Sequence, residues 1–336
     1  MLDTFLYAAN GILPLILLIG LGYMLRQTGM FDDGFFKKAN KLVFRVCLPT
    51  LLFYNIYNIE DLGSLRMDVV GYALALILLF FVLGLVTVRY FIPDPRQKGV
   101  ILQCVFRSNY AIIGIPLAEA LGGTEAVATA SLLSAFSIPL YNVLAVISLS
   151  IYMHGNEKTD WKDVGRKIVR NPLIIGVLCG VAALAVRSFI PVKEDGTPLF
   201  TMKNQLPFVY SAIQSLSRIA SPLALLVLGG QFRFQAVRGM KKQIIIGTGW
   251  RLVLAPFLGL APALFLSKCT TLLSFGVMEF PALIALFATP VAVSSAIMAG
   301  EMDNDEVLAG QLVVWSSLFS MLTMFVIIVI VKSVLS

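Results

Sequence analysis

The chain has 336 residues, a net charge of +7, 58% hydrophobic and 13% charged residues, and a mean hydropathy of +0.87. Soluble domains carry about 25% charged residues, so this composition excludes a pair of soluble domains despite sufficient length. Apolar runs long enough to cross a bilayer as helices recur from end to end, as at 69–89, 172–186 and 313–331, whereas a β-barrel would show short alternating segments.

The expectation is an all-α polytopic membrane protein with ten transmembrane helices. The spans fall near 8–25, 37–57, 69–91, 99–121, 126–152, 171–190, 206–230, 243–266, 274–299 and 307–332. No cleavable leader is expected, because Asp3 precedes the first apolar run without a basic segment. With both termini placed outside, seventeen Lys and Arg residues fall in inside connections and six in outside ones. That bias follows the positive-inside rule. It makes the loop from His154 to Arg170 cytoplasmic and puts the chain in the cell membrane. It also accounts for the positive charge without a nucleic-acid partner.

The cytoplasmic loop divides the chain into 1–153 and 171–336, joined by 154–170. Span 2 holds Arg45-Val-Cys-Leu-Pro49 and span 7 holds Arg218-Ile-Ala-Ser-Pro222; from each of these prolines the next mid-span proline, Pro116 or Pro290, lies 67 or 68 residues on. This register predicts a five-plus-five inverted repeat, an architecture of secondary transporters.

Span 4 carries Asn109, Gly114 and Pro116 at mid-depth; span 9 carries Thr289, Pro290 and Ser294. A proline cannot donate to the carbonyl four residues back. Irregular backbone in the bilayer is tolerated only beside protein or a cavity. Two broken helices would each present a helix N-terminus, and an anion between those ends would be stabilised by both. A simple proline kink is the competing reading.

The stretch "NYAIIGIPL", Asn109 to Leu117, resembles the Asn-Thr-Gly-x-x-Gly-x-Pro-Leu of the auxin efflux carrier family. The last span, "DNDEVLAGQLVVWSSLFSMLT", is similar to that family's final span. The resemblance covers essentially the whole chain. It implies a bile-acid-symporter-like fold, two crossed broken helices and carriage of small organic anions. Tyr110 and Ala111 depart from the family's Thr and Gly, and the Tyr110 phenol is expected to narrow the site.

Other polar groups in the spans extend the candidate set. Arg218, with Arg45 and Arg107, offers a guanidinium for a carboxylate; snorkelling or pairing is the alternative. Glu119 and Glu279 are the acids of spans 4 and 9, with Glu119 the candidate for a coupling proton. Asn142 and Gln311 would line a cavity or join helices, and Asp303, Asn304 and Glu306 read as a cap for span 10.

The reading is a secondary carrier of a small organic anion, a carboxylate or auxin-like acid, working by alternating access. Asn109, Tyr110, Gly114, Pro116, Thr289, Pro290, Ser294 and Arg218 form its candidate binding set. Candidate partners are the bilayer, H+ or Na+ as coupling ion, and a second copy in a homodimer. A cation/proton antiporter or a sodium-coupled symporter on the same fold is the alternative. The antiporter chemistry calls for mid-membrane acids, and no Asp lies in any span. An enzyme is disfavoured because the single histidine, His154, sits in a loop and Cys47, Cys104, Cys179 and Cys269 are isolated. No cofactor or metal is expected, and no GxxxxGK[ST] loop for ATP is present.

Overall fold

The computed structural model describes residues 2–58, 67–152, 161–191, 199–269, 275 and 279–335. His154 and the first part of the expected cytoplasmic loop lie outside the described residues, as do Arg66, Lys158 and Lys193. Among the described residues the secondary structure is helical, apart from one isolated antiparallel bridge between Ser108 and Val291.

The helices are α1 (Leu2–Gln27), α2 (Asp33–Leu42), α3 (Leu48–Tyr57), α4 (Met67–Phe91), α5 (Pro95–Phe106), α6 (Ile115–Ser150), α7 (Trp161–Arg170), α8 (Pro172–Ser188), α9 (Met202–Gln205), α10 (Pro207–Gln231), α11 (Lys241–Gly249), α12 (Ala255–Cys269), α13 (Glu279–Ala288), α14 (Val293–Glu301) and α15 (Glu306–Leu335). Among the described residues, five helical stretches are long and apolar enough to cross a membrane: 67–91, 110–150, 207–231, 241–267 and 306–334. Counting α7 and α8, bent by 58° at their junction, as one span gives six. Other expected spans fall on interrupted helices: span 4 on α5 and the start of α6, and span 9 on α13 and α14.

Proline explains much of this punctuation. Asp94-Pro95 and Asn171-Pro172 start α5 and α8, where the Asx side chain accepts from Arg96 N–H (2.9 Å) and Leu173 N–H (2.9 Å). Proline in the first turn loses nothing, since its N–H would have had no helical acceptor. Deeper in the helices, Pro49, Pro116 and Pro256 each follow a π turn, at Val43–Cys47, Tyr110–Gly114 and Trp250–Leu254. In each, the residue before the proline donates five residues back: Leu48 to Val43, Ile115 to Tyr110 and Ala255 to Trp250. The widened turn takes up the ring's clash with the carbonyl four residues earlier. Pro14, Pro139, Pro222 and Pro262 lie inside α-helices without one. The expected loop between spans 4 and 5 shrinks to a bend at Gly123, whose φ of 67° suits glycine.

The helices pack as two groups. In the first, α1 lies along α10, α3 lies along α8, and α10 touches α3. Glycines allow the close approach: Gly22 faces the Leu226 backbone, Gly229 the Ile19 backbone and Gly176 the Pro49 backbone. Small residues at helix contacts are the usual device where lipid removes the hydrophobic drive to associate. The second group gathers α4, α5, α6, α11, α12, α13, α14 and α15 around the two interrupted helices.

Candidate functional site

The two interruptions meet. After Phe106 the chain turns extended at Arg107 (φ −91°, ψ 109°). On the other side Thr289 precedes Pro290, which disfavours helix for Thr289 and removes a donor at position 290. The separated strands then pair: the Asn109 N–H donates to the Pro290 carbonyl at 2.8 Å, and Ser108 bridges Val291. The Val291 N–H donates to Ser316 Oγ on α15 at 3.1 Å, bracing the second break. Buried backbone groups are thereby satisfied.

The first break therefore lies at Arg107–Asn109, meeting the expected unwound segment Asn109–Pro116 at its Asn109 end, while Gly114 and Pro116 lie in helical turns. Pro116 sits past the π turn, exposed on α6. Pro290 does lie within its break, so the two register-matched prolines occupy different local structures.

A cavity of about 70 Å³ opens at the crossing. Arg107, Ser108, Asn109, Tyr110, Ala111 and Ile112 line it from one helix and Ala292, Val293 and Ser294 from the other, with Tyr141 and Asn142 from α6. Leu48, Leu51, Leu52, Ser221 and Ala224 close it from α3 and α10. The helix starts at Tyr110 and at Val293 border this space and have no side-chain cap; the Ser295 N–H is taken up by the Ala292 carbonyl at 2.9 Å. Asn109 is 3% exposed, and its Nδ2 has no protein acceptor.

Arg107 is 4% exposed. It donates to Gln103 Oε1 at 2.9 Å, to Asn142 Oδ1 at 2.8 Å and towards Met298 Sδ. Those acceptors are all neutral. A buried charge is costly unless paired, so this guanidinium is poised for an anion.

A second buried arginine was not singled out in the sequence. Arg251, in the π turn before Pro256, is 0% exposed. Its Nε donates to Thr289 O (2.8 Å), Nη2 to Leu286 O (3.0 Å) and Phe287 O (2.7 Å), and Nη1 to Phe106 O (3.5 Å). It thus bonds the C-terminal carbonyls of both α13 and α5. Its signal in the sequence was an arginine within the apolar run 243–266, which by itself marks an intramembrane functional candidate.

Comparison with known proteins fits this arrangement. A family model described as membrane transport protein matches residues 7–328. The chain belongs to that family. It is the auxin efflux carrier family that the span 4 motif resembles. An uncharacterized transporter of Methanothermobacter thermautotrophicus is 21% identical over 330 residues, covering 95% of this chain and 97% of its own length.

In this membrane transport protein the candidates sort by position. Asn109, Tyr110 and Ser294 line the cavity. The Tyr110 ring lies over Gly114, where a Cβ would come within 2.6 Å of Tyr110 Cδ2. The phenol OH points at Ala282 O, 3.5 Å away on α13. Gly114 is therefore a packing position for the Tyr110 ring, and Tyr110 is one of the residues that line the cavity. Thr289 supplies its carbonyl to Arg251, and its Oγ1 donates to Ala285 O (2.8 Å). Arg218 and Arg45 are exposed and do not line the cavity, and Glu119 is exposed on α6. Asn142 holds Arg107, whereas Gln311 ties α15 to the Arg233 carbonyl at 2.7 Å. The cap of α15 is Asp305, whose Oδ1 accepts from Leu308 N–H at 2.9 Å, rather than Asp303 or Asn304.

Proposed function

We propose that this membrane transporter is a secondary carrier of small organic anions, with a carboxylate held at the helix crossing. The observation that carries this reading is the convergence of two uncapped helix starts with Arg107, a buried cation whose partners are neutral, on one cavity. Helix N-termini favour anions, and a guanidinium matches a carboxylate bidentately. Asn109 Nδ2 adds a donor. A cation carrier would want acids at the crossing, and the cavity lining includes no Asp or Glu.

The proposal includes ten spans in two inverted halves. Its support is the exchange of partners: α1 from the first half packs on α10 from the second, and α8 from the second on α3 from the first. The two breaks likewise pair with one another. Alternating access would then move the α1, α3, α8 and α10 group against the group carrying the crossing, because the cavity is lined by both. Coupling to protons, with Glu119 as the candidate carrier, or plain uniport is favoured over sodium. Both termini outside, in the cell membrane, completes the reading.

The test is a thermal-shift screen of purified protein against mono- and dicarboxylates, with and without sodium. A carboxylate at ~100 times its Kd stabilises by about 2.7 kcal/mol. The expected result is a shift in the parent that shrinks in Arg107→Gln. An equal shift in both proteins, or none with any carboxylate, rejects the anion site.

A further inference from the structure

We propose that Arg251 is a built-in counter-cation for the crossing, occupying the place at the two helix C-termini that a free monovalent cation would otherwise fill. The inference deepens the proposed anion site and rests on it for its meaning, though not for its test.

Two crossed, broken helices bring four ends together. Each N-terminal end carries about +0.5 of a charge and each C-terminal end about −0.5. The N-terminal ends, at Tyr110 and Val293, face the cavity. The C-terminal ends, of α5 and α13, face Arg251. Helix breaks leave carbonyls without donors. Leu286 lacks its partner because residue 290 is proline, and Phe287 lacks its own because the Val291 N–H donates to Ser316. Such carbonyls at mid-membrane are the groups that bind coupling cations in transporters with discontinuous helices. Here a planar guanidinium with five N–H donors reaches four carbonyls across both ends at 2.7–3.5 Å. Two ends of about −0.5 each balance its single charge. Arg251 is therefore neutralised by the fold, whereas Arg107 is left for a ligand. The π turn before Pro256 carries Arg251, so the placement is built into α11 and α12.

The experiment uses the full-length protein in detergent, without any carboxylate, and reads its melting temperature. Arg251→Ala should lower the Tm by roughly 10 °C, the scale for opening a buried charge network. Added guanidinium or methylguanidinium, at concentrations that leave the parent unmoved, should return most of that loss; tetramethylammonium should not. Arg251→Met, which restores bulk without charge, should remain low and ignore guanidinium, a result that a packing role would reverse. Should the alanine variant not fold, Arg251→Lys provides the comparison and should recover more of the Tm than Arg251→Met. A methionine variant as stable as the parent overturns the proposal. So does an alanine variant indifferent to guanidinium, or a lysine variant no better than methionine. Because no carboxylate is present, failure here is separate from failure of the anion screen. If Arg251 stands but Arg107→Gln leaves carboxylate binding intact, only the anion site falls.

Discussion

Arg107 and Asn109 occupy neighbouring positions yet do different work. Arg107 contributes charge, so Arg107→Gln should weaken carboxylate binding by about 10- to 100-fold, the worth of a charge-assisted hydrogen bond. Asn109→Ala removes one neutral donor from the cavity, while its backbone bond to Pro290 survives. Binding should then fall by up to roughly tenfold with little change in Tm. Isothermal titration of each variant with the carboxylate found in the screen checks both, and a larger loss for Asn109→Ala than for Arg107→Gln would reverse the assignment. At this scale the sequence was readable for Asn109 and Ser294, which carry polar groups in apolar spans. It misdirected attention to Arg45 and Arg218, because both stand before register-matched prolines, yet both are exposed. The role of Arg251 was not legible, because its value lies in the carbonyls of Phe106, Leu286, Phe287 and Thr289, and sequence spacing says nothing of which helix ends a side chain will reach.

At the scale of elements, the break at Pro290 was legible because proline removes a specific donor. The break at Arg107–Asn109 was legible only at Asn109: it contains no helix breaker, and its extended backbone is fixed by pairing with residues 290 and 291, far away in the chain. The widened turns were also hidden, since Pro49, Pro116 and Pro256 follow a π turn whereas Pro14, Pro139, Pro222 and Pro262 sit inside α-helices without one. Location decides the effect of replacing a proline. Pro290→Ala restores an N–H that competes with Arg251 for the Leu286 carbonyl, so the helix can close across the crossing and transport should be largely lost. Pro116→Ala alters an exposed position beyond the π turn, so transport should persist at a measurable fraction of the parent rate. Liposome uptake of the carboxylate for the two variants gives the comparison; equal loss in both would return the functional break to Gly114–Pro116.

For the whole molecule, composition made a helical membrane protein legible, and the register of Arg and Pro pointed to two halves. The lateral grouping could not be read that way, because α1 and α3 associate with α8 and α10 across the midpoint of the chain. Orientation remains testable from the basic bias alone. Arg166 is exposed on α7, so Arg166→Cys in a background lacking Cys47, Cys104, Cys179 and Cys269 should resist an impermeant maleimide applied to intact cells. It should label once the membrane is opened. Ready labelling from outside would invert the topology.

The bond between Asn109 and Pro290 joins the two broken helices through main-chain atoms only. Its donor is present for every amino acid but proline, so substitution at 109 changes what the cavity presents without unfastening the crossing. The side chains that line the cavity can thus be exchanged while this main-chain joint persists unaltered. Among the nineteen replacements at position 109, Asn109→Pro is the one that deletes the fastening itself, and it should cost folding rather than selectivity.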